Sequence, residues 1–173
     1  MGGRSAIVVP ITLPDALEAI RLDHVDNARL GVPAHVTLLF PFAPSASINE
    51  TALDRARAAV SGTPAFEVEF REVTSFDPSP AKEGVAWLAP QPAEPFIAMT
   101  EALVAAFPGY LPYEGLHDNV IPHLTLANVG VDLPVLIAAT RPELPIRRRV
   151  DAAAVLVEDE TGRWRVAERL GLG

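Results

Sequence analysis

The stretch AHVTLLFPF, residues 34–42, decides the fold, because it returns in kind as PHLTLANVG, residues 122–130, about half a chain later. Side chains alternate across a strand, so residues i and i+2 share a face. In the first copy Val36, Leu38 and Phe40 are expected to face a core, with His35, Thr37 and Leu39 on the other side. In the second, Leu124 and Leu126 face inward, and His123, Thr125 and Ala127 outward. Strand propensity explains the threonines and the apolar residues, but not a histidine at the head of both runs. Two copies of His-apolar-Thr-Leu at comparable places in two half-chains point to an internal duplication.

Working outward, AIVVPI (6–11) is a strand, and a helix over 14–22 follows, with Thr12 as its cap and Pro14 in its first turn. The first His-Thr strand spans 35–42. Ser47 and Glu50 have capping-box spacing, ahead of a helix whose Ala52, Leu53, Ala56 and Val60 recur at helical intervals. FEVEFREV alternates as a half-buried strand and pairs across the loop DPSPAKEG (77–84) with VAWLAP. EPFIAMTEALVAAF is a helix with Phe96, Met99, Leu103 and Phe107 on one stripe. The second His-Thr strand spans 123–129, and a short helix is expected near 134–140. IRRRVDAAAVLVE and RWRVAERL close the chain as strands around the turn DETG. The class is α+β, with mainly antiparallel strands and helices outside.

Composition bounds the function. The 173 residues suit a single unit, 1–173, with enough apolar material for a core. No cysteine is present, which excludes disulfides, thiolate nucleophiles and sulfur-bound metals. No apolar run reaches the ~20 residues of a membrane span. The N-terminus reads as a strand and not a signal peptide, so a cytoplasmic location is expected. A net charge of −8 argues against bulk nucleic-acid binding but leaves room for one small phosphorylated ligand. The basic run Arg147-Arg148-Arg149 is read as the solvated side of a strand.

Each motif offers an imidazole and a hydroxyl on rigid backbone. If a pseudo-two-fold axis relates the half-chains, both pairs line one cleft. Two facing histidines and two hydroxyls suit phosphodiester chemistry. A neutral ring takes a proton from water, a protonated ring gives one to the leaving oxygen, and the hydroxyls hold the non-bridging oxygens. An unperturbed histidine pKa near ~6.5 gives access to both states near neutrality. The arrangement needs neither metal nor cofactor.

HVTL (35–38) and HLTL (123–126), with LLFPF and PHLTLA around them, resemble the paired His-x-Thr/Ser motifs of the two-histidine phosphoesterase superfamily. Its members include the bacterial RNA 2′,3′-cyclic phosphodiesterases, also called 2′-5′ RNA ligases. The resemblance spans nearly the whole chain. It implies a bilobal, pseudo-symmetric fold with two sheets flanked by helices and a central cleft, acting without metal on cyclic phosphates or 2′-5′ linkages. By position it implies His35 and His123 as the acid/base pair and Thr37 and Thr125 as phosphate-holding hydroxyls, with His123 activating water and His35 protonating the leaving oxygen. Many RNA-directed members carry a basic residue soon after the second motif, where this chain has Ala127-Asn128. That favours a nucleotide-sized cyclic phosphate over a long RNA end, acted on by a monomer.

Phe42 and Tyr113 are the candidates for contacting the substrate base, with Trp87 behind them. Two other readings stand beside the phosphodiesterase: a module that binds a nucleotide in the same cleft without turning it over, and a metal-dependent hydrolase using His117, Asp118 and His123. Asp23-His24-Val25-Asp26 is expected to cap the end of the first helix or face solvent.

Overall fold

The computed structural model describes residues 3–76, 85–115, 120–128 and 132–173. Among these residues eight strands and four α-helices follow in the order β1 (Ser5–Pro10), α1 (Asp15–His24), β2 (His35–Leu39), α2 (Glu50–Ser61), β3 (Phe66–Phe76), β4 (Val85–Gln91), α3 (Glu94–Ala106), β5 (Leu124–Ala127), α4 (Leu133–Thr140), β6 (Ile146–Val150), β7 (Ala152–Glu158) and β8 (Trp164–Gly171). The α+β class and antiparallel pairing hold. The two sheets are joined into one, in the order β6-β3-β4-β5-β2-β1-β7-β8. Its two four-stranded halves meet where β2 lies against β5, through the pair Val36–Leu124. Strands 1, 2 and the helix between them have their counterparts in β4, β5 and α3. Each half lends a later strand to the other, since β3 pairs with β4 and β7 with β1.

IRRRVDAAAVLVE, read as one strand, is two. Asp151 divides β6 from β7, and the two segments lie near opposite ends of the strand order. The sheet therefore curls until its ends approach. The chain end closes the gap, with Leu172 N–H donating to Asp151 O, Gly173 N–H to Thr63 O, and Ala65 N–H to Gly173 O. The arginine run sits on β6 opposite β3, where Arg147 faces Glu69 and Arg149 faces Glu67 in register, each pair at 3.5 Å. These are exposed cross-strand ion pairs on a solvated face.

The main core collects the inward residues of both motif strands, Val36, Leu38, Leu124 and Leu126. Leu17, Val60, Phe96, Met99 and Leu103 of the helices pack there too. Two caps differ from expectation. Pro14, not Thr12, occupies the cap position of α1. Asn49, not Ser47, caps α2, because its Oδ1 sits where it can accept the third helical N–H, that of Ala52, at 3.0 Å.

The alternation predicted for β2 holds only to Leu38. Ile7 pairs with Leu39 but Val8 pairs with Thr37, so Leu38 is one residue more than β1 can match. This bulge turns both Leu38 and Leu39 into the core. It returns Phe40 to the His35 side, against Val8, Val32, Leu156 and Trp164. The strand ends at Leu39, short of Pro41, which has no N–H to give a ladder.

Candidate active site

The four motif residues meet at the junction of the two halves. An antiparallel register that sets Val36 opposite Leu124 puts His35 across from Thr125 and Thr37 across from His123. All four lie on the face opposite the main core, as both motif strands alternate there. Directly opposed residues have Cα atoms ~4.5–5.5 Å apart, and diagonal neighbours such as His35 and His123 are ~7–8 Å apart. A square of two imidazoles and two hydroxyls results, with like groups on the diagonals.

The same local device orients both rings. His35 Nδ1 lies 2.8 Å from the Pro33 carbonyl, and His123 Nδ1 lies 2.7 Å from that of Ile121. A carbonyl only accepts, so each ring carries its proton on Nδ1 and leaves Nε2 as the reactive nitrogen. Both anchors come from the residue two before the histidine, a symmetry of backbone that pattern reading did not reveal.

Around that square the halves differ. His35 Nε2 is 3.1 Å from Thr37 Oγ1, and the Thr37 hydroxyl also bonds the Tyr113 phenol. With Nδ1 protonated, Thr37 must donate to Nε2, and its oxygen then accepts from Tyr113. Tyr113 is held over β2 by its own N–H, which donates to Phe40 O at 2.6 Å. It sits in a left-handed run with Glu114 and Gly115, at φ 51, 56 and 73. Non-glycine residues there store strain that clusters at functional sites. His123 instead has an aromatic surround. Phe76 and Trp87 stack at 4.7 Å and both meet its ring edge-on, at 5.2 and 5.7 Å.

Burial pushes the His35 pKa down to about 4, and the charges of Arg21 and His123 push the same way, while the Pro33 carbonyl opposes them. Burial also lowers His123, against the Ile121 carbonyl. Arg21 is itself buried in α1 and bonded to Glu18, and it donates to Val32 O at 3.1 Å. It thereby ties down the loop that carries the Pro33 carbonyl.

Of the base-contact candidates, Tyr113 reaches the site, though through Thr37. Phe42 does not join it. It is 5% exposed and packs edge-on against Phe107 and Tyr110 in the core, on the side opposite the histidines. Trp87 lies beside His123. Phe40, which alternation placed in the core, and Trp164, which no pattern singled out, complete the His35 side. Trp164 is far along the chain and carries no local signal. His117 and Asp118 lie outside the described residues, and no cluster of three or more metal-ligating side chains occurs among the described ones. Asn128, standing where a basic residue was noted as missing, is a clamp. Its Oδ1 accepts from Asp26 N–H and its Nδ2 donates to the Asp26 carboxylate, both at 3.3 Å, while its own N–H donates to His24 O. Among the described residues no helix is long and apolar enough to cross a membrane.

A family model described as the 2′-5′ RNA ligase superfamily matches residues 9–162. No curated protein sequence matches. Among solved structures, TT0787 of Thermus thermophilus is 21% identical over 97% of both chains, with a TM-score of 0.59. Escherichia coli LigT complexed with 3′-AMP is 16% identical over 99% of both chains, at 0.56. Usb1 of Kluyveromyces marxianus is 14% identical over 98% of both chains, at 0.51. At these identities the likeness is one of fold.

Proposed function

The chain belongs to the 2′-5′ RNA ligase superfamily of two-histidine phosphoesterases, and on that premise we propose that it hydrolyses a 2′,3′-cyclic phosphate, or a 2′-5′ phosphodiester, of a nucleotide or short RNA end without a metal. The observation that carries the reading is the square His35, Thr37, His123, Thr125, with both Nε2 atoms left as reactive nitrogens by matched Nδ1–carbonyl bonds. The 3′-AMP complex of E. coli LigT adds that a relative of this fold takes a nucleotide.

The phosphate sits over the square, and the Thr37 hydroxyl turns from His35 Nε2 to donate, with Thr125, to the non-bridging oxygens, which frees that nitrogen. His35, the ring pushed furthest toward the neutral form, takes the proton of the attacking water at Nε2. His123, which enters the step as the imidazolium with protons on both nitrogens, gives its Nε2 proton to the ribose oxygen as the P–O bond breaks, leaving a phosphomonoester. This reverses the assignment implied by resemblance, for the stated reason that His35 resists holding a proton. Tyr113 acts by orienting Thr37 and not by stacking on the base.

The test is incubation with the four 2′,3′-cyclic nucleotides, with and without chelator. Monophosphate formed equally in both supports the reading. Tight binding with no product favours a binding module, and loss of rate with chelator favours a metal enzyme.

A further inference from the structure

Three carbonyls in succession precede His35, and each is held by a different part of the fold. That of Ala34 accepts from Ile11 N–H at 2.8 Å, which extends the β1–β2 pairing. That of Pro33 accepts from His35 Nδ1 at 2.8 Å. That of Val32 accepts from Arg21 Nη2 at 3.1 Å, a side-chain tie reaching across from α1. Pro33 has no N–H with which to anchor itself. The carbonyl that orients the ring is therefore fixed by the ties on its two neighbours.

Arg21 is an unusual residue for that task. Leu17 and Arg21, one turn apart, are the buried residues of α1, so a charge stands where the apolar stripe should continue. It is 3% exposed, and arginine is almost never so buried unless paired. Glu18 supplies the pair, accepting from Nε at 2.9 Å and from Nη2 at 2.7 Å. Taking such charges out of water offsets most of their attraction, and apolar replacements of similar volume are often as stable. A methionine at 21 would fill the same space. What it would lack is the bond to Val32, together with a charge that adds to burial in keeping the His35 ring neutral.

Resting on the proposed phosphodiesterase reading, we infer that Arg21, braced by Glu18, is a positioning residue for the His35 base. By holding the Val32 carbonyl it fixes the next carbonyl at His35 Nδ1, which keeps the proton there and the lone pair of Nε2 aimed at the water. Arg21 touches neither phosphate nor water in this role. Without the tie, the Pro33 carbonyl swings away from the ring, and part of the population carries its proton on Nε2, where it cannot act as a base.

The experiment takes Arg21→Met and Arg21→Lys beside the wild type and reads three things: urea melts, kcat and KM on a 2′,3′-cyclic nucleotide, and the ring-nitrogen shifts of His35. Arg21→Met should unfold close to the wild-type midpoint. Its kcat should fall roughly fivefold, the scale of one lost hydrogen bond, with KM moving less, and its His35 should show protons on both nitrogens by turns. Arg21→Lys keeps a donor for Val32 but not the fork that grips Glu18 at the same time, so it should show smaller changes of the same kind. A His35 proton that stays wholly on Nδ1 in both variants overturns the inference, as does a kcat equal to wild type in both. If Arg21→Met does not fold, Arg21→Lys decides by the same two readouts. If the wild type hydrolyses no cyclic nucleotide, the phosphodiesterase reading fails, and the nitrogen shifts alone then decide whether Arg21 positions the ring.

Discussion

Val36 of β2 is paired with Leu124 of β5, and this one register sets His35 across from Thr125 and Thr37 across from His123. The chemistry rests on that pairing, since a slip of one residue would send each histidine to the core face. It also divides the labour, because only the first ring is tied to its own threonine among the described contacts.

Removing either imidazole should cost about 10²–10⁴ in rate on a cyclic nucleotide. The two variants separate on a p-nitrophenyl phosphodiester, whose leaving group needs no proton. His123→Ala is expected to recover most of its rate there and His35→Ala is not. The opposite pattern would exchange their roles.

Tyr113→Phe removes the phenol that holds Thr37 while leaving the ring. One lost hydrogen bond is worth about 1 kcal/mol, hence roughly a fivefold fall in kcat. KM should move less. Thr37→Ser should keep most of the rate and Thr37→Val should lose it. If Tyr113→Phe raises KM alone, the phenol contacts substrate directly.

The acid dependence of stability follows from His35. Its folded pKa, about 4, is below the unfolded value near 6.5, so the unfolded chain binds more protons between those limits. Stability is therefore full above about pH 6.5 and falls as pH drops toward 4, by up to about 3 kcal/mol from this ring. His123 adds a loss of the same sign. Urea melts of wild type and His35→Gln between pH 7 and 4 should converge as the pH falls. Parallel curves would show that the ring is solvated.

Leu124→Ala opens a cavity at the junction of the two halves, where Leu124 is fully buried. A cost of about 2–5 kcal/mol is expected in denaturant unfolding. Val135→Ala, on the exposed side of α4, should change little.

Much of this was legible in the sequence because it depends on period. The paired motifs, the apolar stripe of α3 and the alternation of β3 each follow from side-chain direction along a regular element. Leu39 and Phe40 lie on the sides opposite to those expected because period cannot register a bulge. The extra Leu38 exists only through the pairing of β1 with β2. The single sheet in place of two, and the break at Asp151, depend on curling that brings distant edges together. Trp164 was invisible for the same reason: it reaches the site by the register of β8 on β7.

The most direct measurement is long-range ¹H–¹⁵N correlation on protein labelled at histidine, titrated with inorganic phosphate. If His35 and His123 share one phosphorus centre, both Nε2 signals shift together and saturate at a single equivalent, with both Nδ1 atoms still protonated. A response confined to one ring, or two independent saturations, would contradict the shared site.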